Sequence, residues 1–568
     1  MAQLRTASTR PGHRLRPTLT QARAARYRQP GGAWDRGPLD ATFSGAAGSG
    51  VTGSGVTGSG VRGSGMGGKA SAGVTVVDGT GRLEAGALEA GVGSVAGSLA
   101  ASGVRRGDVV SWQMPNGAAP FLLYRACWRL GAIAAPLHHR LGGAEVKAAL
   151  DQVHPVLVVA SAGMPAAEWP EALVPGGEGP AALLDALGPA PAMAPHASPA
   201  RATDIAVVLF TSGSTGVPKA ALHTHRGLGY KAALMVGVHG LGQGDAVLMP
   251  APLAHVSGLL NGVLIPSAAG IPTVLMAAWD PDEGVRRIEE EHVSFMGAPP
   301  VFFSQMAATA GFRRERVRSL RLVSTGGASV SPAFVDATSE SFGCRVKRTY
   351  GSTEAPTVTT SGPGDSVERA RDTDGRALGK VELEVHDPET SARVGPGAVG
   401  ELWLRGPELF AGYADAKATT RVLSERGRWF RSGDLGVLDE EGWLRVVGRL
   451  SDIIIRAGEN ISASEVEAVL EAHPDVRHAV AVAVPDPEVG ERVAAFVEAT
   501  APFDLALCRD WFAARGVTRF KTPEMVVQLE ALPVLAAGKP DRSALRSMAA
   551  ELRREPRPEL RREPRRDG

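Results

Sequence analysis

The chain predicts an α/β protein, with a large N-terminal domain of mainly parallel sheets covered by helices and a small C-terminal α+β domain. Three observations carry this. From about Val74 to Leu450, short apolar runs alternate with amphipathic segments, the pattern of buried strands packed between helices. The apolar run 205–210 opens into Thr211-Ser212-Gly213-Ser214-Thr215-Gly216-Val217-Pro218-Lys219. Near Asp452 a second, shorter set of helix and strand signals begins.

Taken in order, the first 34 residues carry Arg5, Arg10, Arg14, Arg16, Arg23, Arg26 and Arg28 and no acid. This composition suits an organelle transit peptide, but an arginine-rich leader is the preferred reading. Residues 45–68 repeat Gly-Ser-Gly-Val-Thr and read as a flexible linker or insertion. The literal G-x-G-x-x-G from Gly48 to Gly53 is produced by the repeat itself; no strand precedes it and no helix follows. Residues 109–112 and 156–159 read as strands, 281–292 as a helix opened by Pro281 with Asp282 and Glu283 in its first turn, and 293–296 as the next strand. The run Arg345-Val346-Lys347-Arg348 is only a weak strand signal. In the second domain, Ser462 and Glu465 have capping-box spacing and start a helix through Leu470. Residues 476–482 and 493–497 read as neighbouring strands. The expected division is 1–44, leader and start of the N-terminal domain; 45–68, linker; 69–450, large domain; 451–548, small domain; 549–568, a charged disordered tail.

Composition narrows the function. Hydrophobic residues make up 44% of the 568, enough for large cores. The formal net charge of +1 sets up no field favouring nucleic acid. The three cysteines, Cys127, Cys344 and Cys508, show neither metal nor disulfide spacing and read as core residues of a reduced compartment. No apolar run reaches the ~18 residues of a membrane span, so a cytoplasmic location is expected.

The loop 211–219 is built for phosphate. Glycines let backbone N–H groups approach oxygens, hydroxyls donate hydrogen bonds, and Lys219 adds charge. It is not a P-loop, since the lysine follows Pro218 and no Ser or Thr comes next. The nonapeptide resembles the signature of the adenylate-forming superfamily of acyl-CoA synthetases, peptide-synthetase adenylation domains and luciferases. Further pieces follow in that superfamily's order, from about Val74 to Met548. Ser324-Thr325-Gly326-Gly327-Ala328 is similar to its adenine-binding turn, and Tyr350-Gly351-Ser352-Thr353-Glu354 to its second signature. By resemblance Tyr350 lies against adenine, Thr353 contacts the α-phosphate, and Thr211 and Glu354 hold Mg²⁺, a hard ion suited to a carboxylate. Gly400-Glu401-Leu402-Trp403-Leu404-Arg405-Gly406 resembles a scaffold motif. Asp434 matches a residue that grips both ribose hydroxyls, and Arg449 a second ribose or phosphate contact.

The resemblance also implies that the small domain is mobile. Leu450-Ser451-Asp452 looks like the hinge, with Ser451 close to where Asp or Lys is usual. The run from Arg456 through Gly458 and Glu459 to Ile461 looks like the loop that faces the thiol acceptor, with Ala457 in place of the usual glycine. Lys539, in Leu532-Pro533-Val534-Leu535-Ala536-Ala537-Gly538-Lys539, matches the adenylation lysine, and His255 a histidine beside the acyl pocket. That pocket draws on residues 255–262, 298–300 and 326–327, mostly small or apolar and free of Lys and Arg, which favours an apolar monocarboxylate. The implied activity is ATP-dependent ligation of a small-molecule carboxylic acid to coenzyme A, with Mg²⁺ as cofactor. The look is nearest to cyclohexanecarboxylate and medium-chain fatty acid CoA ligases. Loading of a separate carrier protein is the alternative, a degenerate nucleotide sensor the non-enzymatic one, and a homodimer is left open.

Overall fold

The computed structural model describes residues 39–44, 73–195, 198–211, 218–328, 330–424, 429–457, 459–534 and 540–554. The strands run β1 Val76–Asp78, β2 Gly81–Leu83, β3 Val109–Gln113, β4 Ile133–Leu137, β5 Leu157–Ala160, β6 Ile205–Thr211, β7 Lys219–Thr224, β8 Val247–Met249, β9 Thr273–Leu275, β10 Phe295–Ala298, β11 Leu322–Gly326, β12 Arg345–Tyr350, β13 Thr359–Thr360 and β14 Arg376–Ala377. They continue as β15 Glu382–His386, β16 Val399–Arg405, β17 Phe430–Leu438, β18 Leu444–Arg449, β19 Ile453–Arg456, β20 Glu459–Ser462, β21 Val476–Asp486, β22 Gly490–Ala499 and β23 Met525–Gln528. The chain divides into two compact units. The first holds the described residues of Met1–Glu384, Trp403–Ser432 and Leu438–Arg445, the second those of Val385–Leu402, Gly433–Val437 and Val446–Gly568.

In the first unit a nine-stranded sheet has the order β14-β13-β12-β11-β10-β8-β9-β1-β2, and a five-stranded sheet the order β5-β3-β4-β6-β7. The central pairs of the first, β9/β8, β8/β10, β10/β11 and β11/β12, are all parallel. The second is parallel up to β6, and only β7 returns antiparallel. Parallel strands need covering on both faces. Helix Ala118–Leu130 supplies part of that cover, with Phe121, Tyr124 and Trp128 fully buried. The helix expected at 281–292 runs Pro281–Glu290, started by the Asp280 carboxylate, which accepts from the Glu283 N–H at 2.8 Å.

The weak strand signal at 345–348 marks a real strand: β12 is six residues long and lies between β11 and β13. Its cations are tolerated because each finds a partner. Lys347, 2% exposed, donates to the Ser361 carbonyl at 2.9 Å, and Arg348 pairs with Asp374 at 2.9 Å. Burial, helped by neighbouring Arg345 and opposed by Asp365, pushes the Lys347 ammonium down to about 7.

In the second unit β21 and β22 form a long antiparallel pair, β23 adds parallel to β22, and β19 and β20 make a hairpin. Helix Ala463–Glu471 starts where expected, but the capping box does not form. The Ser462 hydroxyl donates instead to the Val447 carbonyl at 2.9 Å, and Glu465 pairs with Lys521 at 2.6 Å. Linker 45–68 lies outside the described residues, as do residues 555–568 of the expected tail; residues 549–554, expected to be disordered, belong instead to helix Arg542–Arg554. A further four-stranded sheet has the order β15-β16-β17-β18. No helix among the described residues is long and apolar enough to cross a membrane. The three cysteines are unpaired, Cys127 and Cys508 being buried.

Candidate active site

The phosphate-loop signature sits where β6 turns into β7. Thr211, the last residue of β6, lies in register opposite Lys219, the first of β7. Ser212, Gly213, Ser214, Thr215 and Gly216 lie outside the described residues. The strand run 205–210 earns its place through burial: Ile205, Ala206, Val207, Val208 and Leu209 are all under 4% exposed.

The adenine-turn candidates follow β11. Gly326 faces Thr349 across the β11–β12 pairing, and a Cβ there would lie 2.2 Å from the Thr349 carbonyl oxygen. Only hydrogen fits that approach. Gly327 takes φ 78°, the left-handed region glycine enters without strain, and Ala328 follows. Next along β12 come Tyr350, buried at its end, and the turn Gly351-Ser352-Thr353-Glu354, closed by Ser352 N–H to the Ala355 carbonyl at 3.0 Å. A Cβ on Gly351 would meet the Thr357 nitrogen at 2.3 Å. The second signature is therefore a tightly wound exit from a parallel strand, the edge where open α/β sheets bind ligands.

Two residues that sequence reasoning missed join these pieces. His223 of β7 hydrogen-bonds the Thr353 backbone. Burial lowers its imidazole to about 4, against the opposing pull of that bond, so it is neutral at pH 7. Tyr413 donates its hydroxyl to Glu354 Oε1 at 2.6 Å, and the Lys219 Nζ lies 5.6 Å from its ring centroid. Burial first, and the Glu354 charge second, push the phenol up, which keeps it a donor. The one available signal was Gly412-Tyr413, an aromatic with a polar end in an apolar run. Thr211, Lys219, His223, Thr353 and Glu354 are thus brought together around Tyr413 and the paired ends of β6 and β7.

His255 caps helix Val256–Leu259, accepting at Nδ1 from the Ser257 N–H at 3.3 Å. A π-helical turn, Leu260–Leu264, follows directly. There the Asn261 amide donates to the Ser257 carbonyl at 3.0 Å, and its side chain would lie 3.0 Å from a Cβ on Gly297 of β10. The candidate segment 255–262 therefore comes against β10 at Gly297, the residue before the candidates 298–300.

The remaining candidates belong to the second unit. Asp434, 5% exposed, accepts from Arg449 Nε at 2.8 Å. Arg456 and Glu459, expected in a loop, are instead paired strand residues that face each other at the end of the β19–β20 hairpin. Strand pairing reaches them, and Ala457 just beyond Arg456 takes φ 50°. Arg456 also pairs with Glu524 at 2.8 Å, and that hydrogen bond raises its guanidinium further. Gly458 and Lys539 lie outside the described residues.

No cluster of three or more His, Cys, Asp or Glu suited to a metal occurs among the described residues. The site offers one carboxylate, Glu354, with Oε2 unpartnered among them. That donor set fits Mg²⁺, which keeps several waters and takes its other oxygens from a polyphosphate; it does not fit zinc.

Residues 69–414 match the AMP-binding enzyme family, and residues 465–539 the AMP-binding enzyme C-terminal domain. The medium-chain fatty-acid–CoA ligase of Escherichia coli K12 is 31% identical over 482 residues, 81% of this chain and 84% of that protein. The feruloyl-CoA synthase of an Amycolatopsis species is 33% identical over 460 residues, 79% of this chain and 90% of that protein. Among solved structures, ATP-bound MatB from Rhodopseudomonas palustris superposes with a TM-score of 0.77 at 26% identity, covering 85% of this chain and 96% of that one.

Proposed function

The chain belongs to the AMP-binding enzyme family of AMP-forming acid–thiol ligases, and we propose that it joins an apolar monocarboxylic acid, fatty, alicyclic or aromatic, to coenzyme A. The observation that carries the reading is the convergence of Lys219 and Glu354 on Tyr413, a cation and a carboxylate on one aromatic side chain.

A carboxylate is a poor electrophile because its charge repels nucleophiles. Its oxygen attacks the α-phosphorus of ATP, the bond to the β-phosphate oxygen breaks, and pyrophosphate leaves. No base is needed, since the acid is ionised at neutral pH. The charge that develops needs fixed cations and donors, the largest usual source of catalysis. In this reading Lys219 and the loop 212–216 hold the departing pyrophosphate. Lys539 neutralises charge at the α-phosphate, and Thr353 donates to it. Glu354 and Thr211 would hold Mg²⁺, whose chemistry is to neutralise charge on the phosphate oxygens. Tyr350 and the turn Gly326-Gly327-Ala328 take the adenine, and Asp434 with Arg449 the ribose. The thiol of coenzyme A then attacks the acyl carbon of the acyl-adenylate and AMP departs; Arg456, Gly458 and Glu459 are assigned to guiding the thiol by the family resemblance alone. His255, Asn261 and Gly297 form the acyl wall; with no Lys or Arg in these segments, a second carboxylate on the substrate has no counter-ion there.

A pyrophosphate-release screen over carboxylic acids, with and without coenzyme A, tests this. Acyl-CoA formed from apolar monoacids supports the reading. Acyl-AMP that accumulates despite coenzyme A would redirect it to a carrier-protein acceptor. Preference for dicarboxylates would sink the substrate class.

A further inference from the structure

We infer that Tyr413 is a positioning residue that fixes which oxygen of the Glu354 carboxylate faces Mg²⁺ and steadies Lys219 alongside it. The inference rests on the reading of Glu354 as the Mg²⁺ ligand.

A glutamate at the exit of a strand has three rotatable bonds, and its carboxylate can present either oxygen or both. Here one oxygen is committed. The Tyr413 hydroxyl donates to Oε1 at 2.6 Å, which leaves Oε2 as the oxygen open to a cation. The main chain is held by the same segment, since the Phe410 N–H donates to the Glu354 carbonyl at 2.8 Å. Tyr413 is itself clamped. Its backbone bridges Ala221 of β7, and its N–H donates to Thr419 Oγ1 at 2.8 Å. Its ring packs edge-on against Phe410, with centroids 4.9 Å apart. The face of that ring lies under the Lys219 ammonium, 5.6 Å from the centroid, a cation–π distance. One side chain thus links the lysine of the first signature to the carboxylate of the second. A partner that orients a metal ligand in this way is commonly worth 10–100-fold in metal affinity.

Tyr413→Phe keeps the ring, the Phe410 packing and the lysine contact, and removes one O–H. Binding of α,β-methylene ATP, which cannot release pyrophosphate, is measured by calorimetry on the full chain with and without Mg²⁺. In the native protein Mg²⁺ tightens the nucleotide. In Tyr413→Phe that Mg²⁺-dependent tightening falls about 10–100-fold, while metal-free affinity and unfolding temperature stay native. Glu354→Gln loses the tightening, and the double variant is no worse than Glu354→Gln alone. If Glu354→Gln loses the Mg²⁺ effect but Tyr413→Phe keeps it, the positioning role is overturned and the ligand reading stands. If Glu354→Gln keeps it, the ligand reading falls and the inference with it. Should Tyr413→Phe unfold, a fluorinated tyrosine at 413 preserves the packing but makes the donor more acidic. It must shift the Mg²⁺ midpoint, and an unmoved midpoint overturns the proposal.

Discussion

Arg129 and Asp40 form an ion pair with no exposure on either side chain, the guanidinium 3.1 Å from the carboxylate. It fastens helix Leu39–Ser44 to helix Ala118–Leu130, with Glu89 on the same guanidinium and Arg125 3.5 Å from Glu89. Removing Asp40 leaves two buried guanidinia, Arg129 and Arg125, to share the single carboxylate of Glu89 in a low-dielectric interior. Asp40→Ala should cost about 3–5 kcal/mol in urea unfolding. Asp151→Ala, which breaks the exposed pair with Lys147, should stay within about 0.5 kcal/mol. Equal effects from the two would refute the buried role.

The same helix hangs on a titratable acceptor. The Leu39 N–H donates to His225 Nδ1 at 3.3 Å, which requires that nitrogen unprotonated. Burial lowers the imidazole from 6.5 to about 4, with Arg106 acting the same way and Asp204 and Asp40 opposing. Between these values the unfolded chain binds the proton and the folded one does not. Stability therefore falls as pH drops from about 6.5 towards 4, by on the order of 3 kcal/mol at most. His225→Asn, which retains an acceptor at the Nδ1 position, should flatten that slope in unfolding measured at successive pH values. An unchanged slope would discard the assignment.

Gly326 should tolerate no side chain. A methyl 2.2 Å from the Thr349 carbonyl must push β11 away from β12, just where Tyr350 and the Thr353–Glu354 turn leave the sheet. Overpacking of this kind costs about 1–3 kcal/mol, and a 1 Å displacement of a positioned group costs up to about a hundredfold in rate. Gly326→Ala should therefore lose adenylation well beyond its loss of stability. Gly364→Ala, where nothing lies within 4 Å, serves as the control. Activity lost only in step with unfolding would count against a local effect.

Lys539 is assigned to one half of the reaction only. Lys539→Ala should abolish pyrophosphate release, a loss of at least about a hundredfold if it supplies charge at the α-phosphate. Thioester formation from supplied acyl-AMP and coenzyme A should survive. Parallel loss of both halves would show that the lysine is not confined to adenylation.

What the sequence made legible follows from where the chemistry lies along the chain. β6 and the loop after it could be read because an apolar run and a hydroxyl-rich glycine stretch are each local patterns. β12 could be read only weakly, because Lys347 and Arg348 look like surface charges until Ser361 and Asp374 are folded against them. Tyr413 offered only the faint signal of a polar-ended aromatic in an apolar run: its partner Glu354 lies 59 residues away, and no spacing rule joins them. Ser462 shows the opposite failure. Its spacing to Glu465 satisfies the capping box, but the Val447 carbonyl and Lys521 outbid the helix end for both side chains.

Ala457 is a departure whose consequence can be measured. The family form that the 456–461 segment resembles has glycine at this position, and the backbone here sits at φ 50°. In that region an L side chain crowds the neighbouring carbonyl, at a cost of roughly 1–2 kcal/mol. The turn persists because the Ala457 N–H donates to the Val489 carbonyl at 2.7 Å, and Arg456 beyond it is locked to Glu524. Glycine would relieve the strain but enlarge the freedom of the unfolded chain, offsetting about 0.4–1 kcal/mol. Ala457→Gly should thus be neutral to stabilising by about 1 kcal/mol in unfolding of the full chain, whereas Ala457→Val should destabilise, since a β-branched residue is least at home at positive φ. A more flexible turn should also leave the adenylation half untouched and alter only the rate of thioester formation. Stability lost on going to glycine would show that the alanine methyl makes contacts worth more than the strain it causes.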